Sequence, residues 1–440
     1  MPKIVLIGAG SVVFAKTLIG DILSFPALQS GTLSLVDLDA PRLELMAAYT
    51  RRLIAEQRLP TQLEATTDRR QALAGADYVI TVIQIGGGRS YELDVGVPRR
   101  YGVDQAVGDT IGPGGVFRGL RSIPVLLGIC RDIEELCPHA WLLNYTNPMA
   151  INVWALRRAS QVKVVGLCHS VMATAAYLAR VMGLRYERLR YWAAGINHLA
   201  WFLKLECDGR DLYPLLRRKV RNPEVEEAER VRVAILRLFG YFVSESSYHM
   251  SEYVPYYRRT PQSIAQYLPQ PRDYLSMYQG GLDEQRQTIE AQLASCQPLP
   301  LRRSHEYASY IIDSLATGVP RRFNLNVRND RLITNLPEGC CVEVPCLVDG
   351  AGMHPCHVGE LPPQLAALDR SAINVQELTV EAALQRSRKA VRRALAVDPL
   401  TSAILTPQQA GDMADEMLEA EREWLPEMRE RVRATPAGGG

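Results

Sequence analysis

The stretch "KIVLIGAGS", Lys3 to Ser11, decides how the rest of the chain is read. An apolar run rich in branched residues breaks at two glycines spaced by one residue, the pattern of a buried strand entering a tight turn. Gly8, Gly10 and Ser11 therefore stand between a strand and a helix, where a backbone can approach a pyrophosphate held at a helix N-terminus. The third glycine of the usual fingerprint is replaced by Val13, so the letters alone also fit a plain turn. A second apolar run, "TLSLVDLD" (Thr32 to Asp39), puts Asp37 at its end. A carboxylate there accepts hydrogen bonds from ribose hydroxyls and repels a 2′-phosphate, which favours NAD over NADP.

Working outward, "ADYVITVIQIGGG" (76–88), "AWLLNYTNP" (140–148) and "VKVVGLCHS" (162–170) are further buried-strand candidates, each passing into polar or glycine-rich residues. Helices fall between them. Asp39 caps the first clear one, with Pro41 in its first turn, Leu43, Met46 and Leu53 on one face, and Pro60 past its end. This alternation predicts an α/β fold, a Rossmann-type doubly wound parallel sheet followed by a mixed α+β catalytic domain.

The rhythm is lost after about residue 195. "LRYWAAGINHLAWFLKLECDGRDLYP" (189–214) reads as an antiparallel pair around Asp208 and Gly209. Segments 222–241, 282–296, 377–397 and 407–434 read as helices, the last with Thr406 as N-cap, Pro407 at the first position and Gln409 reaching back. The expected division is 1–195 for an NAD-binding domain, 196–434 for a substrate and metal domain, and 435–440 for a disordered tail.

The bulk composition narrows the class. With 47% hydrophobic and 22% charged residues, the 440-residue chain is ordinary globular material with room for two or three domains. A net charge of +2 without a basic stripe argues against a nucleic-acid partner. The apolar run at the N-terminus is too short for a signal peptide, and no stretch has the length of a membrane helix. Nine cysteines, an odd set in a long chain, read as free thiols in a reducing compartment, so a cytoplasmic protein without a membrane partner is expected.

Candidate chemistry gathers on few residues. Asn147 ends a strand just before Pro148, and the C-terminal ends of strands line the ligand crevice of an open α/β sheet. Cys168 ends another, which makes the two neighbours on one rim. A buried structural cysteine is the commoner outcome for such a residue. Yet "AGINHLAW" (194–201) supplies His198, and one thiolate with one imidazole is a minimal metal site with open positions. His169 should face a different partner from Cys168 unless the strand has ended, because adjacent side chains on a strand diverge. "VGDTIGPGGVFRGLRS" (107–122) is either a loop lying flat on a ligand or a mere connection, with a helix from near Val116. "FVSESSYHMSEYVPYYRR" (242–259) holds Glu245, His249, Glu252, Tyr253, Tyr256 and Tyr257. It is either an aromatic packing layer or the source of a tyrosine base whose pKa a nearby cation depresses. "HPCH" (354–357) and the Cys340-Cys341 pair are assigned no site.

Together with "VIQIGGG", "GDTIGPGG", "LNYTNPMAINVWA", "VGLCHSV", "ESSYHMSEY", "VRNDRLITNLPEGCCVEVPCLVD" and "LPPQLAALDRSAINVQEL", these motifs span nearly the whole chain. In them the chain resembles the NAD- and Mn2+-dependent family 4 glycoside hydrolases, most closely their α-galactosidase (melibiase) branch, a family outside the usual two-carboxylate scheme. The resemblance implies oxidation of the sugar at C3 by NAD, removal of the C2 proton, elimination of the aglycone, addition of water and return of the hydride. It implies Cys168 and His198 as metal ligands, and Asn147 and Asn197 as substrate-binding residues. It implies Asp109 and His169 near the reacting sugar, His169 as a candidate acid, and Tyr253 as the base with Tyr256 next. It also implies a homodimer or homotetramer acting on a small α-glycoside. Tyr248 stands where the galactosidase pattern has an acid and His305 where it has an arginine, which leaves α-glucosides and α-glucuronides as alternative substrates. A malate/lactate-type 2-hydroxy-acid dehydrogenase and an inactive NAD-dependent sugar sensor are the other readings.

Overall fold

The computed structural model describes residues 1–12, 14–270 and 272–430. Twelve strands are present among them: β1 (Lys3–Ile7), β2 (Thr32–Val36), β3 (Gln62–Thr66), β4 (Tyr78–Thr81), β5 (Trp141–Asn144), β6 (Lys163–Gly166), β7 (Arg190–Ile196), β8 (Leu199–Cys207), β9 (Arg210–Asp211), β10 (Arg321–Arg328), β11 (Cys341–Asp349) and β12 (Gly352–Pro355). They form one sheet in the order β3-β2-β1-β4-β5-β6-β10-β11-β7-β8-β9, with β12 added to β11. The first six pair in parallel, with helices between them, as the apolar runs require. The α/β expectation holds. The β3 strand "QLEAT" is largely exposed, which suits the sheet edge it occupies.

Beyond β6 the sheet turns antiparallel. The β6 strand meets β10 through Asn326 opposite Gly166, β10 pairs with β11 along its whole length, and β11 meets β7 through Glu343 opposite Gly195. The second half thus continues the first sheet instead of building a separate one. The expected pair around Asp208 and Gly209 is the lesser of two hairpins; β7 and β8 form the longer one, turning at Asn197 and His198.

Local signals explain most helix boundaries. Asp39 accepts from the Arg42 N–H to cap helix Ala40–Glu56, and Leu43, Met46 and Leu53 are buried on its inner face. Thr406 and Gln409 close a reciprocal capping box on helix Pro407–Ala420. Several helices differ from expectation: the 222–241 segment is two helices, Pro223–Ala228 and Arg230–Phe239, and the 282–296 helix runs over Tyr274–Ala294. The 377–397 segment is split, because Arg386 adopts a left-handed conformation and Ser387 caps a new helix, Arg388–Val397. Its first part begins far earlier, at Pro363. The 407–434 helix stops at Ala420; positions 431–434 and the expected 435–440 tail lie outside the described residues. Among the described residues no helix is long and apolar enough to cross a membrane.

Candidate active site

The turn after β1 is set by its backbone. The N–H groups of Gly8 and Ala9 both donate to the Val36 carbonyl, at 2.9 and 3.0 Å, and Ser11 N–H donates back to Gly8. Gly8 has φ +94°, and a Cβ there would lie 2.6 Å from the Val82 carbonyl oxygen, so no other residue fits. Gly10 N–H donates to Asp37 Oδ2 at 2.8 Å and Asp39 N–H to Oδ1 at 2.9 Å. Two backbone donors therefore fix the Asp37 carboxylate at the C-terminal end of β2, and its remaining lone pairs are free for ribose hydroxyls.

The glycine-rich loop crosses the same rim. Helix Gly112–Leu136 starts within the "GPGG" stretch, earlier than Val116, with Pro113 in its first turn. A methyl group on Gly114 would collide with the Gly108 carbonyl, so the loop lies directly on the helix start. This seats Asp109 against β5: Asn147 Nδ2 donates to Asp109 Oδ2 at 2.9 Å. Arg118 Nη1 stands 3.4 Å from that oxygen, and His249 Nε2 stands 3.5 Å from Oδ1. Burial opposes the charge on Asp109, but His249, Arg118 and His198 together hold its carboxyl below the usual range. Oδ1 has no hydrogen-bond partner.

Opposite it lies a cluster of soft and hard ligands. Cys168 follows β6, and His198 forms the tip of the β7–β8 hairpin with φ +64°, a left-handed conformation that histidine adopts more readily than most non-glycine residues. The His198 ring faces the Cys168 thiol, whose Sγ lies 3.4 Å from Ser170 Oγ. Its Nε2 is 3.4 Å from Glu245 Oε2, and Glu245 Oε2 is 3.9 Å from His249 Nδ1. One ligand atom from each of His198, Glu245 and His249 lies within 4.8 Å of the other two. Thr110 Oγ1 touches both rings, at 3.4 Å from His198 Nδ1 and 2.8 Å from His249 Nε2. Burial works against ionising Cys168, His198 and Glu245. Even so, Glu245 and Cys168 push His198 up to about 10, and the His198 ring holds the Cys168 thiol below its ordinary value.

Two imidazoles and a carboxylate, with the Cys168 thiol facing one of the rings, form a donor set for a divalent transition cation. The surroundings fit such a guest. Asp109 Oδ1 and both Glu343 oxygens are buried and unpaired, and Glu343 faces Cys168 and His198 from β11. Burial, reinforced by Cys168, pushes the Glu343 carboxyl well above its usual range. The Asn197 amide lies against it outside hydrogen-bond geometry, so its own polar atoms are unpaired as well.

Tyr253 is buried beside this cluster. Its hydroxyl donates to Thr110 Oγ1 at 2.9 Å, and its ring centroid is 5.7 Å from that of His249. Burial, with the charges of Asp109 and Glu245, pushes the phenol well above its ordinary value, so ionising it requires a cation close by. Tyr256 stands apart, 46% exposed and edge-on to Tyr257. His169 has left the strand and precedes helix Ser170–Met182; it is exposed on the rim, 3.4 Å from Glu306. Tyr248 is turned away, its hydroxyl donating to the Gln270 carbonyl, and His305 is exposed. Cys340 and Cys341 are buried in the core.

Glu245, His249, Thr110 and Arg118 were not singled out by sequence as ligands or partners. The Glu245-to-His249 spacing of one helical turn was the available signal, masked by a stretch that also reads as aromatic packing.

Residues 3–184 match the model described as family 4 glycosyl hydrolase, and residues 193–401 match the family 4 glycosyl hydrolase C-terminal domain. The chain is 41% identical over 433 residues to an alpha-galactosidase of Bacillus subtilis (strain 168), covering 98% of this chain and 100% of that one. It is 39% identical over 445 residues to an alpha-galactosidase of Rhizobium meliloti (strain 1021), covering 98% and 91%. Among solved structures, a putative glucosidase lplD from Bacillus subtilis superposes with a TM-score of 0.85 at 28% identity, over 95% of this chain and 100% of that one. A 6-phospho-alpha-glucosidase from gut microorganisms, in complex with NAD and Mn2+, superposes with a TM-score of 0.81 at 22% identity, over 97% and 99%.

Proposed function

Because the chain belongs to the family 4 glycosyl hydrolases, we propose that it hydrolyses α-galactosides with the help of NAD and a divalent cation such as Mn2+. The observation that carries the reading is the meeting of His198, Glu245 and His249, with Cys168 facing the His198 ring, beside Asp109, Asn147 and Tyr253 on the rim that also bears the Gly8–Ser11 turn. In this reading residues 1–195 hold the dinucleotide, and 196–434 supply most of the groups around the cation.

When bound, NAD would supply the hydride acceptor and donor for sugar C3, and a divalent cation would supply the positive charge that makes the C2 proton acidic. The chain does the rest. Cys168 and His198 hold the cation, with Glu245 and His249 in reach. Asn147, Asp109 and Asn197 orient the hydroxyls, since each is polar at the pocket, Asn197 buried and the other two half-buried. Tyr253 takes the C2 proton on its hydroxyl oxygen once its own proton has passed through the Thr110 hydroxyl, which gives up its proton to His249 Nε2. His169, paired with Glu306, stands at the rim where a leaving oxygen would need a proton. Water then adds at C1.

Hydrolysis of a nitrophenyl α-galactoside in D2O, with NAD, Mn2+ and a thiol reductant, tests the reading. Deuterium at C2 of the released sugar is expected; an active enzyme without it refutes the elimination route. Running the α-glucoside and α-glucuronide alongside tests the sugar preference. The same assay separates the other readings: a dehydrogenase gives a net rise at 340 nm with malate or lactate, and a sensor binds without turnover. All nine cysteines are free thiols, which supports a cytoplasmic setting. The family resemblance supports a homodimer or homotetramer, which sedimentation would resolve.

A further inference from the structure

We infer that Glu252 is a positioning residue: its buried carboxylate holds the 104–110 loop in the path that presents Asp109 and Thr110 to the cation-binding cluster. For what that cluster does, the inference rests on the reading above.

The loop has no strand or helix to pair with, so its buried N–H groups need another acceptor. Glu252 supplies it. Oε1 accepts from the N–H groups of Ala106 and Val107, at 2.7 and 2.6 Å, and Oε2 accepts from Gly108 N–H at 3.0 Å. Gln105 Nε2 approaches Oε2 at 3.4 Å. Three consecutive backbone donors on one carboxylate form an anion cradle, filled here by the protein itself.

The same segment pins both flanks of the cradle. Arg258, also buried, donates to the carbonyl and the carboxylate of Asp104 at 2.8 and 2.9 Å. Tyr253 and His249 both reach Thr110 Oγ1, at 2.9 and 2.8 Å. Residues 249–258 thus template residues 104–110 point by point. Glu252 sits at the centre of the template. It makes no contact of its own with Cys168, His198 or Glu245, so it acts through the residues that follow the cradle. Asp109 is the first of these, immediately after Gly108, and Thr110, which touches both rings, is the second.

The full-length protein with NAD bound carries the test. Glu252→Gln keeps the shape but leaves one oxygen for three donors; Glu252→Asp keeps the charge on a shorter arm. Gly108→Ala strains the loop at φ +59° without touching the carboxylate. In Glu252→Gln, hydrogen exchange of the 104–111 peptide is expected to quicken while the sheet stays protected. Mn2+ affinity, read from the free-ion electron spin resonance signal, should fall roughly tenfold or more, as for other residues that orient ligands. With the nitrophenyl galactoside, kcat should fall while KM changes little, and Glu252→Asp should recover part of the loss. Gly108→Ala should show the same loosening and the same weakened Mn2+ binding, which keeps the test valid if Glu252→Gln does not fold. Unchanged loop exchange and Mn2+ affinity in a folded Glu252→Gln overturn the inference, as does a loss spread evenly over the molecule. Exchange and Mn2+ binding do not depend on turnover. A parent enzyme silent on α-galactosides would therefore sink the proposed function and leave this inference to its own readouts.

Discussion

Nε2 of His198 and Oε2 of Glu245 face each other at 3.4 Å, one at a hairpin tip and the other just before helix Ser247–Met250. Two chain segments far apart in sequence thus bring opposite charge to one buried point beside Cys168. Glu245→Gln removes a ligand oxygen's charge and keeps the volume. Its affinity for Mn2+ should fall roughly tenfold or more, while NAD binding and the circular dichroism spectrum stay as in the parent. Equilibrium dialysis against Mn2+ measures it.

The two candidate tyrosines separate cleanly. Tyr253 is buried on Thr110 and Tyr256 is at the surface. Tyr253→Phe should lower kcat by roughly 10²–10⁴-fold, the usual range for a general base. Tyr256→Phe should stay within about twofold. Steady-state kinetics on both variants decide it, and equal losses would remove Tyr253 from its role.

Asp37 holds Gly10 N–H at 2.8 Å, so changing it disturbs both the turn and the ribose contact. Asp37→Asn should weaken NAD binding roughly tenfold or more, the value of about 1.5–3 kcal/mol for hydrogen bonds to a charged group. Discrimination against NADP should shrink with it. Titrations of both nucleotides by intrinsic fluorescence provide the check.

Arg121 is buried between Asp94 and Glu421, bidentate to the first at 2.9 and 2.7 Å and paired directly with the second. It ties the segment after helix Pro407–Ala420 to the helix that follows β4. Arg121→Met strands two carboxylates and should cost about 3–5 kcal/mol. Urea unfolding followed by tryptophan emission should show a clearly lower midpoint.

Asp398 caps the short helix Pro399–Ser402, accepting from Thr401 N–H at 2.8 Å, with its second oxygen unpaired. Burial pushes its carboxyl up to about 6 from 3.8. A raised carboxyl pKa means the fold prefers the protonated form, so stability falls as pH rises from about 4 through 6 and stays reduced above. The cost approaches about 3 kcal/mol, at 1.36 kcal/mol per unit. Asp398→Asn keeps the cap and cannot ionise; its melting temperature relative to the parent should rise more at pH 8 than at pH 5.

Much of this was legible in the letters. Apolar runs ending in glycine or polar residues marked β1, β2, β4, β5 and β6, because a parallel sheet buries both faces of its strands. Asp39 and Thr406 announced their helices, since a cap is a local interaction. Cys168 and His198 stood out as soft ligands at strand ends. The insertion of β10 and β11 between β6 and β7 was not readable, because it is carried by single pairings such as Asn326 with Gly166. The Glu245–His249 pair was hidden among tyrosines, since a carboxylate and an imidazole one turn apart look alike whether they face solvent or a cation. The left-handed residue that splits the 377–397 helix is an arginine, not the glycine that would have flagged it.

The strand order also sets a timetable for synthesis. β6 and β7 leave the ribosome well before β10 and β11, the strands that must stand between them. Until residue 349 has emerged, the thiol of Cys168 and the ring of His198 hang on elements with no common frame. A nascent chain therefore offers passing ions scattered donors and no closed pocket, and competence for catalysis comes late, with the closing of the sheet.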